Sequence, residues 1–263
     1  MYYTKKGSSM LQAHRGVNAE FPENTMIAYE AAVKQGYDLI ELDPNVTADG
    51  EVILFHDLYL NRTARNADGT KLLNRTYVDS LTLSQIKELD AGSYFSSEFK
   101  GEKIPTFAEV LELAVRNKIP IKVDNKIQSF REEALNRIFG LVKEYEAEDL
   151  VQFTFSDLNF MDYFIKQIPK AHIHYDGYVD RWLLDQVQSI LISNPLTVWL
   201  RYDNKTSKWS KMPPANAERA ELAKKYGNVG IWILEEKEEA DIAVDVLGAD
   251  LIETTGSIKP NSR

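Results

Sequence analysis

The feature that most constrains the fold of this chain is an alternation of short apolar runs with longer amphipathic stretches. Eight apolar runs have the length of β-strands: Met10–Ala13, Leu39–Leu42, Ile119–Val123, Leu150–Phe155, Ala171–Tyr175, Leu196–Tyr202, Val229–Leu234 and Asp250–Ile252. The stretches with helical spacing are Thr25–Gln35, Thr106–Asn117, Phe130–Tyr145, Asp157–Ile168, Trp182–Ile192, Asn216–Tyr226 and Lys237–Leu247. Because repeated strand–helix units build parallel sheets, this alternation predicts an α/β fold closed into a (β/α)8 TIM barrel.

An open, doubly wound sheet is the rival arrangement. It is disfavoured because no Gly-x-Gly-x-x-Gly turn follows the first predicted strand. Helix start signals support the barrel interpretation. Asn24 is expected to cap the first helix, and two capping boxes are predicted, Thr106 with Glu109 and Thr82 with Gln85.

The stretch from Pro44 to Pro105 interrupts the alternation. Asp49-Gly50 between two apolar runs predicts a β-hairpin with a primed turn, and Leu83–Leu89 has the pattern of a further helix. A loop of this length inside a compact barrel usually has a function as a lid or a binding insertion. Because 263 residues match the size of one barrel, we predict a single catalytic domain over 1–263 with an insertion subdomain over 44–105, between the second and third barrel strands.

Composition excludes several classes of protein. A net charge of -9 argues against nucleic-acid binding, and no run approaches the roughly 20 apolar residues of a transmembrane segment. The absence of cysteine excludes disulfides and thiolate metal sites. The segment Met1–Ser9 is polar and has no signal-peptide pattern, which favours a cytoplasmic location. A secreted or periplasmic location would apply if an N-terminal signal had been removed, and the oligomeric state is left open.

Polar side chains gather where a barrel places its chemistry, at the C-terminal ends of strands. The set is His14, Arg15, Glu41, Asp43, His56, Asp124 and Lys126. Glu41 and Asp43 are two apart on a strand, so their side chains share a face, and Asp124 supplies a third carboxylate. Three carboxylates suit a hard divalent cation, Mg²⁺ or Ca²⁺. A lone Glu-x-Asp would more often be a pair of solvated charges, so the prediction rests on convergence of the whole set.

His14 and His56 are two of the 4 histidines in the chain and lie beside these acids. Cleavage of a phosphodiester requires one group that deprotonates the attacking oxygen and another that protonates the departing oxygen, and imidazoles suit both tasks. Arg15 can hold phosphate oxygens in a bidentate manner, and Lys126 can offset charge on the transferring phosphoryl group.

A second histidine pair, His172 and His174, is also spaced two apart on a predicted strand. The pair could ligate a transition metal, but no third ligand is apparent, so barrel-interior or mouth positions are favoured. Trp232, with Tyr175 and Trp199, is a candidate for lining a substrate pocket. Core packing is the alternative for each of these rings.

The ordered series of motifs resembles the glycerophosphodiester phosphodiesterase family, within the phospholipase-C-like phosphodiesterase superfamily. The matching stretches are His14-Arg-Gly16, Pro22-Glu-Asn-Thr25, Gly36 to Asp43, Thr47-Ala-Asp-Gly50, Val52 to Asp57, Asn61-Arg-Thr63, Leu89-Asp-Ala-Gly92 and Ile104 to Leu111. This resemblance is dense from 14 to 126. Looser agreement follows at Phe155-Ser156, Gly230-Ile-Trp232 and Gly248-Ala-Asp250.

The resemblance implies metal-dependent hydrolysis of a glycerophosphodiester to glycerol 3-phosphate and an alcohol. It implies a divalent cation held by Glu41, Asp43 and Asp124, and acid–base catalysis by His14 and His56. Phosphate contacts are implied for Arg15 and Lys126. The substrate is expected to be a small molecule whose neighbouring glycerol hydroxyl attacks first, giving a cyclic phosphate before water completes the reaction.

Two departures from the family pattern leave alternatives open. Asp124 stands where the family usually has Glu. Late in the chain, Trp232-Ile-Leu-Glu235 and Glu253-Thr-Thr-Gly256 replace Trp-Thr-x-Asn and Thr-Asp. The alternatives are a related phosphodiesterase acting on a sugar phosphodiester or a lysophospholipid head group, and a barrel that binds phosphodiesters without turnover.

Overall fold

The described part of this computed structural model covers residues 2–3, 9–202 and 212–260, and within it eight parallel strands close into a barrel. The strands are β1 Met10–Ala13, β2 Leu39–Leu42, β3 Ile121–Val123, β4 Val151–Phe155, β5 Ile173–Tyr175, β6 Leu196–Arg201, β7 Asn228–Leu234 and β8 Leu251–Thr254. They pair in chain order and β8 pairs with β1, so the predicted TIM barrel is confirmed and the open sheet is excluded. Tyr2–Tyr3 and Lys259–Pro260 form a separate short parallel pair.

Helices follow the strands and cover the outside of the barrel. Those described are α1 Met26–Gln35, α2 Leu83–Glu88, α3 Phe107–Asn117, α4 Glu132–Glu144, α5 Leu158–Ile165, α6 Arg181–Ile190, α7 Ala217–Ala223 and α8 Lys237–Asp241. Short 3₁₀ segments cover Val78–Ser80, Ser97–Phe99 and Asn125–Ser129, and a π-helical turn over Ile242–Val246 continues α8. Of the described helices, none combines the length and apolar character that a membrane crossing requires.

Of the three predicted helix N-terminal caps, two are confirmed and one is wrong. Both predicted capping boxes are present, at the starts of α2 and α3. Asn24, however, does not cap α1, because the hydroxyl of Thr25 accepts the Ala28 N–H at that position. Asn24 instead has a positive φ of 53° and donates its side-chain amide to Asp43 Oδ2 at 2.8 Å. Asn24, which was expected to cap the helix, therefore orients Asp43 at the mouth of the barrel.

Alternate residues of the barrel strands have different environments. Outward-facing residues such as Leu11, Ile40 and Val123 are buried in the main apolar cluster with the helices. Inward-facing apolar residues form a small separate layer of Leu39, Trp199 and Leu251, against which Met10 and Trp232 pack. Because strand residues alternate in direction, the inward positions between this layer and the mouth belong to the polar residues described below.

The segment between β2 and β3 contains the predicted hairpin, formed by the antiparallel pair Pro44–Val46 and Val52–Leu54. The predicted primed turn is wrong. Both primed types need a positive φ at the first central residue, Asp49, whereas only Gly50 has one at this turn, at 81°. The Gly50 N–H donates to Thr47 O at 3.0 Å, so the turn spans 47–50, begins one residue earlier than predicted and ends with Gly50 in the left-handed region.

The same segment has an apolar cluster separate from the barrel's. It consists of Ile53, Phe55, Leu60, Ala64, Val78, Ile86, Ala91 and Ile104. The assignment of 44–105 as an insertion subdomain of a single 1–263 domain stays a prediction. Of the polar leader, Met1 and residues 4–8 lie outside the described residues.

Candidate active site

Three carboxylates converge at the C-terminal mouth of the barrel. Glu41 points inward from β2, Asp43 follows that strand, and Asp124 follows β3. One ligand oxygen from each lies within 4.8 Å of the others. A single ion could therefore contact all three, as the sequence analysis expected, and carboxylate oxygens are the ligands that hard divalent cations prefer.

Asp43 is the most heavily contacted of the three carboxylates. Its Oδ2 accepts from the Asn24 amide at 2.8 Å and lies 3.1 Å from Arg15 Nε, although that nitrogen lacks the alignment of a hydrogen bond. Its Oδ1 pairs with Lys126 Nζ. Burial raises the pKa of Asp43, but Lys126, Arg15 and His56 outweigh burial and hold that pKa far below its ordinary value. Asp43 is therefore anionic and fixed in orientation.

The negative charge of Glu41 is less well compensated by nearby positive charges than that of Asp43. It is buried, and its Oε2 accepts the backbone N–H of Arg15 at 2.9 Å. Burial, together with the charges of Asp43 and Glu253, raises the pKa of Glu41 well above its ordinary value. A divalent cation between the carboxylates would remove this repulsion, so the residues present fit a metal chemically.

Arg15 is held by acids on two sides. Its Nη1 donates to Glu23 Oε1 at 3.0 Å, and the same oxygen accepts from Arg62 Nη2 at 2.7 Å. The backbone of Arg15 has a positive φ of 56°, a conformation that costs energy for a residue with a side chain. The strained backbone brings the guanidinium beside Asp43 and turns the Arg15 N–H towards Glu41.

His14 lies directly after β1 and is nearly enclosed. Its Nδ1 is 3.2 Å from the Asn18 side-chain amide nitrogen, and its Nε2 is 3.7 Å from Glu253 Oε1. Burial and the neighbouring Arg15 lower the pKa of His14 well below its ordinary value, so the ring is neutral near neutral pH. If the Asn18 amide donates to Nδ1, the proton of the neutral ring lies on Nε2.

His56 lies at the mouth with 35% of its side chain exposed. Its Nδ1 is 2.6 Å from Asp57 Oδ1, and Asp57 in turn accepts from Arg62 Nε at 2.5 Å. A carboxylate at Nδ1 orients the ring and leaves Nε2 to exchange a proton. The charge of His56 lowers the pKa of both Asp43 and His14, so the two imidazoles share one electrostatic environment at the mouth.

A buried ion pair that was not predicted from the sequence lies beneath the carboxylates. Glu253, on β8, accepts from Lys122 Nζ at 3.1 Å and from Gln12 Nε2 at 2.5 Å. Lys122, on β3, also lies 4.1 Å from the centre of the Trp199 ring. Lys122 shares the inward face of its strand with Asp124, which was the one available signal. In the sequence, Glu253 is marked only by its departure from the family's Thr-Asp motif.

The second histidine pair lies inside the barrel, as favoured. Both ring nitrogens of His174 are engaged: Nδ1 accepts from Trp199 Nε1 at 2.8 Å, and Nε2 is 2.6 Å from Gln152 Oε1. His172 stacks on His174 with ring centres 4.7 Å apart and contacts Thr197 Oγ1 at 2.8 Å. Among the described residues, neither histidine joins a group able to hold a metal ion.

Trp232 lies half-buried on β7, across the mouth from the carboxylates. Its Nε1 is 3.3 Å from Oδ1 of Asp176, a residue that follows β5 and was not predicted. Burial raises the pKa of Asp176 to about 6, with smaller effects from Lys122, Asp124 and Glu253. Asp176 and Trp232 thus line the side of the mouth opposite the three carboxylates with an acidic and an aromatic side chain.

A closed parallel barrel with charged residues gathered at its C-terminal mouth is the architecture of barrel enzymes. Comparison with known proteins defines the family. The model of the glycerophosphoryl diester phosphodiesterase family matches residues 14–192, and the chain belongs to this family. The predicted resemblance is thereby confirmed.

Relatives support the same assignment. The chain is 33% identical over 182 residues to a glycerophosphodiester phosphodiesterase of Caldanaerobacter subterraneus subsp. tengcongensis, a match covering 66% of this chain and 70% of the relative. It is 36% identical over 141 residues to a glycerophosphodiester phosphodiesterase of Bacillus altitudinis, covering 53% of this chain and 54% of that relative. The chain thus spans between about half and 70% of these two relatives. These named relatives confirm the prediction that the chain is a phosphoric diester hydrolase.

Solved structures share the fold. A glycerophosphoryl diester phosphodiesterase from Silicibacter pomeroyi, itself described as putative, superposes with a TM-score of 0.78 at 19% identity, covering 96% of this chain and 92% of that one. A phosphodiesterase from Oleispira antarctica, solved in complex with the product sn-glycerol-3-phosphate, gives a TM-score of 0.76 at 21% identity, covering 94% of this chain and 93% of that one.

Proposed function

We propose that this chain hydrolyses glycerophosphodiesters to glycerol 3-phosphate and an alcohol, in a reaction that depends on a divalent cation, Mg²⁺ or Ca²⁺. The observation that carries the proposal is the convergence of Glu41, Asp43 and Asp124 to within 4.8 Å at the mouth of the barrel. The product bound to the related barrel of Oleispira antarctica supports glycerol 3-phosphate as the retained half of the substrate.

The three carboxylates would hold the cation, and two positively charged side chains, those of Lys126 and Arg15, lie beside them. When bound, a divalent cation polarises phosphoryl oxygens and offsets their negative charge. Lys126, which contacts Asp43 across the site, adds a second positive charge that a phosphate can share. Arg15 is anchored by Glu23 and lies beside Asp43, so it presents a fixed guanidinium to phosphate oxygens.

The two imidazoles divide the proton transfers. One accepts the proton of the attacking oxygen, and the other returns a proton to the alcohol oxygen as its bond to phosphorus breaks. The two rings are held differently. Asp57 engages Nδ1 of His56, and the Asn18 amide contacts Nδ1 of His14, so each ring keeps Nε2 for transfer.

The proposal is tested by alcohol release from glycerophosphocholine and glycerophosphoethanolamine, with and without a chelator. We expect His14→Asn and His56→Asn each to lower kcat by about 100-fold or more, because a positioned acid or base typically contributes that much. His172→Gln is the matched control, since His172 lies inside the barrel and contacts Thr197. Activity that survives chelation, or that survives the loss of His14, would contradict the proposal.

A substrate with an activated leaving group assigns the two roles. A p-nitrophenyl ester of glycerol phosphate needs no proton on its leaving oxygen, so it should restore turnover to the variant that lacks the general acid. The variant that lacks the base should stay inactive on this ester. Restoration of both variants, or of neither, would contradict a division of roles between His14 and His56.

A further inference from the structure

We infer that Asp176 and Trp232 form a subsite for a positively charged alcohol, so that this enzyme prefers glycerophosphodiesters whose alcohol carries an ammonium group. The inference rests on the proposed function and identifies the substrate class within it. It starts from the arrangement of the mouth. The phosphate-binding candidates Arg15 and Lys126 follow β1 and β3, whereas Asp176 and Trp232 belong to β5 and β7 on the opposite side of the closed barrel.

On this inference, a substrate held by its phosphate at the β1–β3 side directs its alcohol towards the β5–β7 side. Asp176 faces this space, because it follows β5 two residues after the inward-facing His174 and contacts Trp232 on β7. Its backbone is anchored, since the Asp176 N–H donates to Phe155 O at 2.9 Å. The acidic group is thus a fixed part of the mouth.

The carboxyl of Asp176 is incompletely compensated. It accepts one hydrogen bond, from Trp232 Nε1 at 3.3 Å, and within the described ranges it forms no salt bridge with a lysine or arginine. Lys122, the cation whose charge affects it most, is already paired with Glu253 at 3.1 Å. Burial raises the pKa of Asp176 only to about 6, so the group is mostly anionic above neutral pH.

The ligand class follows from the two groups together. The hydrogen bond places the carboxylate beside the indole nitrogen of Trp232. The indole ring packs on the inner apolar layer but is only half-buried, so part of it is open to a ligand at the mouth. An aromatic face beside a carboxylate attracts quaternary and primary ammonium groups, by cation–π and charge attraction. A neutral polyol such as glycerol gains neither contribution.

The test compares two substrates that share the glycerophosphate half: glycerophosphocholine and glycerophosphoglycerol. We expect the wild type to show the higher kcat/KM on glycerophosphocholine. Asp176→Asn keeps the acceptor for Trp232 Nε1 but removes the charge, and should lower kcat/KM on the choline ester by roughly tenfold. The value for the glycerol ester should change by less than about twofold, because that alcohol is uncharged.

A matched control removes one acidic charge far from the mouth. Asp162→Asn on α5 breaks only an exposed pair with Lys166, and should leave the ratio of the two kcat/KM values unchanged. A ratio that Asp176→Asn leaves unchanged, or an equal loss on both substrates, would overturn the subsite. A wild type inactive on both substrates would instead refute the proposed hydrolysis itself, so the two failures are distinguishable.

Discussion

The pair formed by Lys122 and Glu253 offers a direct test of how the charged barrel interior is stabilised. The side chains are only 7% and 6% exposed, and they join β3 to β8 through a 3.1 Å contact. Lys122→Met would remove the positive charge and leave Glu253 buried with a hydrogen bond from the neutral Gln12 and the neutral His14 ring 3.7 Å away. Glu41 would also lose a nearby compensating charge, because Lys122 lowers its pKa.

The expected magnitude follows from the burial of both partners. Removing one member of a buried ion pair costs about 3–5 kcal/mol, because the remaining charge stays desolvated without compensation. We therefore expect Lys122→Met to lower the free energy of unfolding by about that amount. In Lys122→Met/Glu253→Gln the isolated charge is gone and Gln12 keeps an acceptor, so at least about 2 kcal/mol should be regained.

The assay is urea unfolding followed by circular dichroism, in the presence of a chelator so that bound cations do not add stability. Lys87→Met is the matched control. It breaks the Lys87–Glu109 pair, whose side chains are 29% and 47% exposed, and should cost less than about 1 kcal/mol. A Lys122→Met cost as small as that of the control would refute the reasoning, as would a double variant less stable than the single one.

Two further predictions concern the barrel interior. Burial lowers the pKa of His172 to about 4, so its neutral form contributes stability above the unfolded pKa of about 6.5, which is lost as pH falls towards 4. His172→Gln should therefore reduce the fall in urea midpoint between about pH 7 and about pH 5, and an unchanged fall would count against this. A Cβ at Gly230 would lie 2.6 Å from the Trp199 ring, so Gly230→Ala should cost about 1–3 kcal/mol by thermal denaturation. Gly140→Ala on α4, where the space is open, should stabilise by about 0.5–1 kcal/mol, and equal effects of the two would contradict the packing argument.

The barrel could be predicted from the sequence because outward positions on its strands are apolar and its helices are amphipathic. The predicted bounds of β1 and β2 agree with the structure residue for residue. The third strand begins two residues later than predicted, at Ile121. Apolar character continues beyond a strand's hydrogen-bonded part, so composition alone does not define strand ends.

The convergence of Glu41, Asp43 and Asp124 could also be anticipated, because all three lie at the C-terminal ends of two neighbouring strands, β2 and β3. Contacts between distant strands could not. Glu253 and Lys122 are 131 residues apart and meet only when the sheet closes. Asp176 was not predicted, since nothing in the local sequence indicates that Trp232 lies beside it. Register and closure, which the sequence pattern does not specify, create these contacts.

The central claim is that one divalent cation is held by Glu41, Asp43 and Asp124. A second triad, His14, Glu41 and Glu253, shares one of these ligands and has the same 4.8 Å spacing, so the two are direct competitors. Anomalous diffraction from crystals soaked in Mn²⁺, which prefers oxygen ligands as Mg²⁺ does, distinguishes them. We predict the strongest peak among the three carboxylates. A peak between His14 and Glu253, or no peak at the mouth, would contradict the claim.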